Sequence, residues 1–271
     1  MSTRESIALV SISSMLACGG GTGTIAVNTY GEDYIEQGIP PEIFADGWSV
    51  RFTKFLIALG PIAVADLDGD VGARLDEQRI FDLTQAGPHA IIRFPDVAAK
   101  RWENVQITHR PSRSATAGNA AAVDVTAMNQ NGYSTWVEGT AQTGTIAKSF
   151  RWGFAETTAL AYCEADNGSL GLVVPRGGSV GVQFTVHGDH LFYDGLQNPD
   201  AAVRFAAIAA ADADGDGEVT PQELADVDLT TLPTGQYTTG GSAQINDLLR
   251  FTAALSRTFL HFQGEGECVI Q

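Results

Sequence analysis

Apolar and polar residues alternate one by one through much of the first two thirds of the chain. Trp48-Ser49-Val50-Arg51-Phe52-Thr53-Lys54-Phe55 alternates apolar with polar as far as Thr53, the mark of a half-buried strand. Ala90-Ile91-Ile92-Arg93-Phe94, Val105-Gln106-Ile107-Thr108 and Phe150-Arg151-Trp152-Gly153-Phe154 repeat it, and Val180 to Val186 is the clearest late case. Turn-forming clusters separate these runs: Gly38-Ile39-Pro40-Pro41, Asp68-Gly69-Asp70, Asn131-Gly132, Asn167-Gly168 and Arg176-Gly177-Gly178. Many short strands at such spacing predict a β-sandwich over residues 25–197. The Ala/Asn/Thr-rich stretch from Ala115 to Gly132 lacks a clear period and reads as a long loop. The four tryptophans, Trp48, Trp102, Trp136 and Trp152, read as sandwich core.

From Asn198 the period changes. Asn198 is a helix cap and Pro199 suits a first turn, after which Val203, Phe205, Ile208 and Ala209 fall near one stripe. Ile245, Leu248, Leu249, Thr252, Leu255, Phe259 and Leu260 follow helical spacing, predicting an amphipathic helix that ends before Gly264. The expected fold is therefore mainly β, with a helical part over residues 198–271.

Composition narrows the function. The 271 residues carry 32 acids against 16 bases, a formal net charge of -16. Such a chain repels nucleic acid, so no nucleic-acid partner is expected. Residues 1–17 pair a polar start with a short apolar run from Ile7 to Ala17, the pattern of a secretory signal peptide. Met15-Leu16-Ala17-Cys18 follows, then the Gly/Thr-rich residues 19–24. This resembles the lipobox of bacterial lipoproteins. The resemblance implies cleavage before Cys18, lipid attachment there, a flexible tether over 18–24, and residence in the bacterial cell envelope with a membrane anchor. Lipidation of Cys18 leaves Cys163 and Cys268 as a pair able to form one disulfide in an oxidising compartment.

The strongest chemical signal is Asp212-Ala213-Asp214-Gly215-Asp216-Gly217-Glu218-Val219-Thr220-Pro221-Gln222-Glu223. Calcium is a hard cation that takes six to eight oxygens at about 2.3–2.6 Å. Asp212, Asp214 and Asp216 alternate, so one tight loop points three carboxylates inward. Gly217 permits the sharp sixth-position turn. Glu218 offers its backbone carbonyl, Thr220 stands where a water usually mediates, and Glu223 is long enough to reach back with both oxygens. The loop resembles the EF-hand, a helix–loop–helix calcium site, at every fixed position of its pattern. The resemblance implies a bound Ca2+ ion. The other acidic run, Asp66 to Val71, has Val71 in the sixth place and reads as a turn.

A weaker signal is His187-Gly188-Asp189-His190. Two imidazoles and a carboxylate suit zinc, copper or iron. The remaining histidines, His89, His109 and His261, are scattered, and any of them can complete a site. Nucleophile elbow, zinc-protease and phosphate-loop signatures are absent from the sequence, so catalysis is not expected. The leading expectation is a calcium-binding secreted lipoprotein. A transition-metal protein using His187 and His190 is the alternative, and an enzyme of unknown class the second. No protein or glycan partner can be read from the residues.

Overall fold

The computed structural model describes residues 20–271. The expected signal peptide over residues 1–17 and the expected lipid-attachment residue Cys18 lie outside the described residues, and residues 22–24 of the expected tether instead open the strand Thr22–Gly31. The fold is mainly β, built on large curled sheets. A four-stranded sheet runs in the order Leu260–Phe262, Ser179–Val186, Thr22–Gly31, His89–Ala98. Its first long strand, Thr22–Gly31, buries every second residue and lies parallel to Ser179–Val186.

The larger sheet is organised by a 17-residue strand, Ser49–Ala65. Its first half pairs with Thr135–Thr143 and its second half with Asn104–His109. The change of partner falls between Ile57 and Leu59, and the second pairing is interrupted at Gly60, whose φ of +117° favours glycine; a Cβ there would meet the Glu77 carbonyl oxygen at 2.2 Å. The predicted alternation is thus realised in five strands. One hydrophobic core cluster contains inward residues of both sheets, among them Ile25, Val27, Val182 and Phe184 with Phe52, Phe55, Phe150 and Trp152. Trp48 and Trp102 join this cluster, while Trp136 packs on a smaller second one.

Three expectations need correction. Ala115 to Gly132 is not a long loop: it holds the short strand Thr116–Ala117 and the helix Ala122–Asn131, which ends at a left-handed Gly132. Only Asp124 and Met128 of that helix are buried, too few to print a helical stripe on the sequence. Residues 198–271 are not a helical region. They carry helices of five, six and eight residues, Ala206–Ala210, Pro221–Asp226 and Leu248–Leu255, interleaved with three strands. Asn198 starts no helix; its side chain accepts the Asp200 N–H in a turn, and Val203 bridges to Phe44 and Tyr193 instead.

The third correction concerns the last helix. It stops at Leu255, and Leu260–Phe262 is a strand on the edge of the four-stranded sheet. The C-terminal segment therefore fastens both sheets. Glu218–Val219 pairs with Ile146–Phe154 at one end of the large sheet, and Glu267–Ile270 pairs with Thr158–Glu164 at the other. At that end Cys163 and Cys268 form the disulfide expected from the cysteine count. No helix among the described residues is long and apolar enough to cross a membrane.

Candidate metal centres

The acidic loop is positioned at both ends. Before it, the Asp46 carboxylate accepts the backbone N–H groups of Phe205 and Ala206 at 2.8 and 2.7 Å, fixing the start of Ala206–Ala210. After it, Thr220 and Glu223 form a reciprocal capping box with Pro221 in the first helical turn. Between them the chain folds on its own carboxylates. Asp212 accepts from Gly215 N and Gly217 N, Asp214 from Asp216 N, and Asp216 from Glu218 N. Gly215 and Gly217 take positive φ, +74° and +89°, which the turn requires.

Two contacts lash the second half of the loop to the large sheet. Trp152 Nε1 donates to the Val219 carbonyl at 2.9 Å, and Ser149 N donates to Gly217 O at 2.8 Å. Three of the predicted ligands come together: Asp212, Asp214 and Glu223 each offer an oxygen, all within 4.8 Å of one another. Asp216 and Glu218 are on the loop but outside that set. Thr220 Oγ1 donates to Glu223 Oε2 at 2.9 Å. Lys148 Nζ is paired with the Asp212 carboxylate and holds that carboxyl below the usual range. Hydrogen bonds from Thr220 do the same for Glu223.

The histidine cluster is assembled from distant segments. His187 follows the strand Ser179–Val186, and its N–H donates to Phe259 O at 3.0 Å. Gly188 opens the short 3-10 turn Gly188–Phe192, where a Cβ would meet Ile35 Cγ1 at 2.7 Å. That turn carries His190. The third imidazole is His261, on Leu260–Phe262, whose register sets it beside Thr185. Ring centroids are 4.3 Å apart for His187 and His261, 5.1 Å for His190 and His261, and 5.4 Å for His187 and His190.

Carboxylates surround the rings. Glu32 Oε1 is 3.4 Å from His187 Nε2, Glu265 Oε1 is 4.0 Å from His187 Nδ1, and Glu267 Oε1 is 3.8 Å from His261 Nδ1. Asp189 accepts from the Tyr193 hydroxyl at 3.0 Å through one oxygen. Its other oxygen, His187 Nε2 and both nitrogens of His261 are buried without a hydrogen-bond partner. Each such orphan costs about 1–3 kcal/mol in a folded protein.

Burial, reinforced by the two neighbouring imidazoles, pushes His190 down to about 3. Burial and His187 also lower His261, while burial raises Asp189 and Glu32. His190 and His261 are therefore neutral at physiological pH, the form that binds metals. Two triads have ligand atoms within 4.8 Å of one another: His187 with Asp189 and His190, and His187 with His261 and Glu265. His190 and His261 also line a cavity of about 440 Å³ shared with Tyr193, Leu196, Leu255 and Glu267.

His187 and His190 were legible as candidates; His261, Glu265 and Glu32 were not singled out. The other two histidines are used structurally. His89 Nε2 contacts Gln85 O and Asn119 Nδ2. His109 is buried, with Nε2 against Ser134 O and Thr135 Oγ1. Compared with known proteins, the chain matches no family model, no curated protein and no solved structure.

Proposed function

We propose that this chain is a calcium-binding protein of the bacterial cell envelope, in which residues 212–223 hold one Ca2+ ion as a lone EF-hand-like loop docked on a β-sandwich. The observation that carries the reading is the convergence of Asp212, Asp214 and Glu223 oxygens within 4.8 Å, with Gly217 at the sixth position and positive φ. An EF-hand usually leans on a second hand. Here the short strand of the loop, Glu218–Val219, pairs with Ser149–Phe150 instead, so the sheet takes the place of the missing partner.

Asp216, the Glu218 carbonyl and Thr220 complete the ligand set on this reading. The ion is structural: a lone hand outside the cell binds with Kd on the order of 10⁻⁴ to 10⁻³ M, and external calcium nearly saturates it. Lipid attachment at Cys18 would hold the protein at a membrane surface.

Calorimetric titration of the chain with Ca2+ tests the proposal, beside an Asp212→Ala, Glu223→Ala variant. One saturable site lost in the variant is the expected result. No heat of binding up to several millimolar calcium would end the calcium reading.

A further inference from the structure

We propose that His187, His190 and His261 form a second metal centre, for a borderline first-row dication, Cu2+ or Zn2+, with Glu265 as the adjoining carboxylate ligand. The inference does not rest on the calcium reading, because no residue is shared between the two sites.

Geometry carries it first. A metal–imidazole nitrogen bond of about 2.0–2.1 Å places each ring centroid roughly 3.2 Å from the ion, so three rings around a tetrahedral ion have centroids about 5 Å apart. The three separations here, 4.3, 5.1 and 5.4 Å, bracket that value. His187 is common to both close triads, which makes it the hinge between His190 on one side and His261 with Glu265 on the other.

Unsatisfied chemistry carries it second. The two structural histidines each use at least one nitrogen, Nε2, in hydrogen bonds, and only His109 Nδ1 among their nitrogens is buried without a partner. In the cluster, His187 and His261 are each 92% buried (8% exposed), yet three of their four nitrogens have no partner within hydrogen-bond geometry. Inside a protein a buried imidazole nitrogen demands a partner, an acceptor for its N–H and a cation or a donor for its lone pair.

The surroundings then choose the ion. His190 Nδ1 faces the Thr258 carbonyl at 3.0 Å. A carbonyl only accepts, so Nδ1 bears the proton and Nε2 keeps the free lone pair, the usual outer support of a metal-binding histidine. His187 has a carboxylate on each edge, Glu32 and Glu265, so one can orient the ring while the other coordinates. Among the described residues no free thiolate is at hand, because Cys163 and Cys268 are joined to each other. Imidazole with carboxylate suits Zn2+ and Cu2+, whereas Ca2+ wants oxygen throughout. The 440 Å³ cavity that reaches His190 and His261 gives the ion a way in.

The test uses the metal-free whole chain without a polyhistidine tag, held in several millimolar Ca2+ so that the loop is occupied. Cu2+ is added, and Zn2+ serves as competitor. The expected result is one copper bound with Kd below micromolar, and a paramagnetic resonance spectrum split by more than one imidazole nitrogen. A large excess of Zn2+ should diminish that signal, because both ions compete for one site and copper is the tighter binder. His261→Asn and His190→Gln should each weaken copper by about a hundredfold while calcium titration and circular dichroism stay as in the parent. His89→Gln should change nothing.

A copper spectrum with one or no imidazole nitrogen overturns the proposal in the parent protein, whatever the variants do. So does a folded His261→Asn variant that binds copper like the parent. Loss of the calcium heats with copper binding intact would sink the loop reading alone.

Discussion

The two clusters solve opposite problems with similar side chains. The acidic loop is written in twelve consecutive residues and satisfies itself: backbone N–H groups and Lys148 occupy its carboxylates. The histidine cluster joins residues up to 74 positions apart, from His187 to His261, and leaves buried nitrogens unpaired. A contiguous site needs little from the rest of the fold beyond an anchor such as Trp152. An assembled site depends on every element that delivers a ligand. The loop is therefore the easier site to read, and the cluster is the one with more to gain from an ion.

Breaking the Cys163–Cys268 disulfide should separate them most sharply. The bridge closes a loop of 105 residues and fastens the last strand, next to Glu265 and Glu267, onto Thr158–Glu164. Removing such a bridge typically costs about 2–5 kcal/mol. A Cys163→Ser, Cys268→Ser variant should lose that much in denaturant unfolding and lose copper affinity at the histidines, with calcium affinity unchanged. Equal losses at both sites would show that the loop is no more autonomous than the cluster.

What could be read in advance follows the same division. The strands were legible because half-buried sheets print period two directly: the run from Trp48 to Phe55 became the start of Ser49–Ala65. The acidic loop was legible because its ligands are contiguous. His261 was hidden by a coincidence of spacing. Phe259 and Leu260 fall in helical register with Leu248 and Leu255, so the sequence draws one helix through a segment that turns at Ser256 and Thr258 and becomes a strand. All three residues of that strand are buried, which erases the alternation that would have announced it. Its placement is decided by pairing with Ser179–Val186, a contact about 75 residues away that no local pattern contains.

A third environment sharpens the contrast. His109 is as buried as the cluster histidines, but its Nε2 is used and no other imidazole faces it. Burial, opposed only by the Ser134 hydrogen bond, pushes it down to about 4. Its folded value lies below the unfolded one of about 6.5, so the neutral form is favoured by folding. Its contribution is therefore complete above about pH 6.5 and fades as pH falls toward 4, by roughly 2–3 kcal/mol at pH 4.5. Unfolding measured at pH 7 and 4.5 in the zinc-loaded parent and in His109→Asn should show a drop that is larger in the parent by that amount. Equal drops would mean that His109 takes up its proton without unfolding. His190 and His261 move the same way without metal, and zinc should silence them while leaving His109 untouched.

The smallest expected effect lies at the loop. Lys148 is the one cation among the described residues set against the Asp212 carboxylate, and it occupies an oxygen that the ion needs. Because it holds the Asp212 carboxyl low, the carboxylate is ionised and paired at any pH where calcium would be tested. Calcium must displace that ammonium and then bear its repulsion at close range. Lys148→Met should therefore raise calcium affinity by about threefold to tenfold, the effect of relieving that repulsion. Copper binding at the histidines should not move. If calcium binds more weakly in Lys148→Met, the ammonium is holding Asp212 in its binding position, and the loop is less self-sufficient than its hydrogen bonds suggest. Unchanged affinity would mean that the lysine swings clear at no measurable cost, leaving the anchors at Trp152 and Ser149 to set the loop's shape.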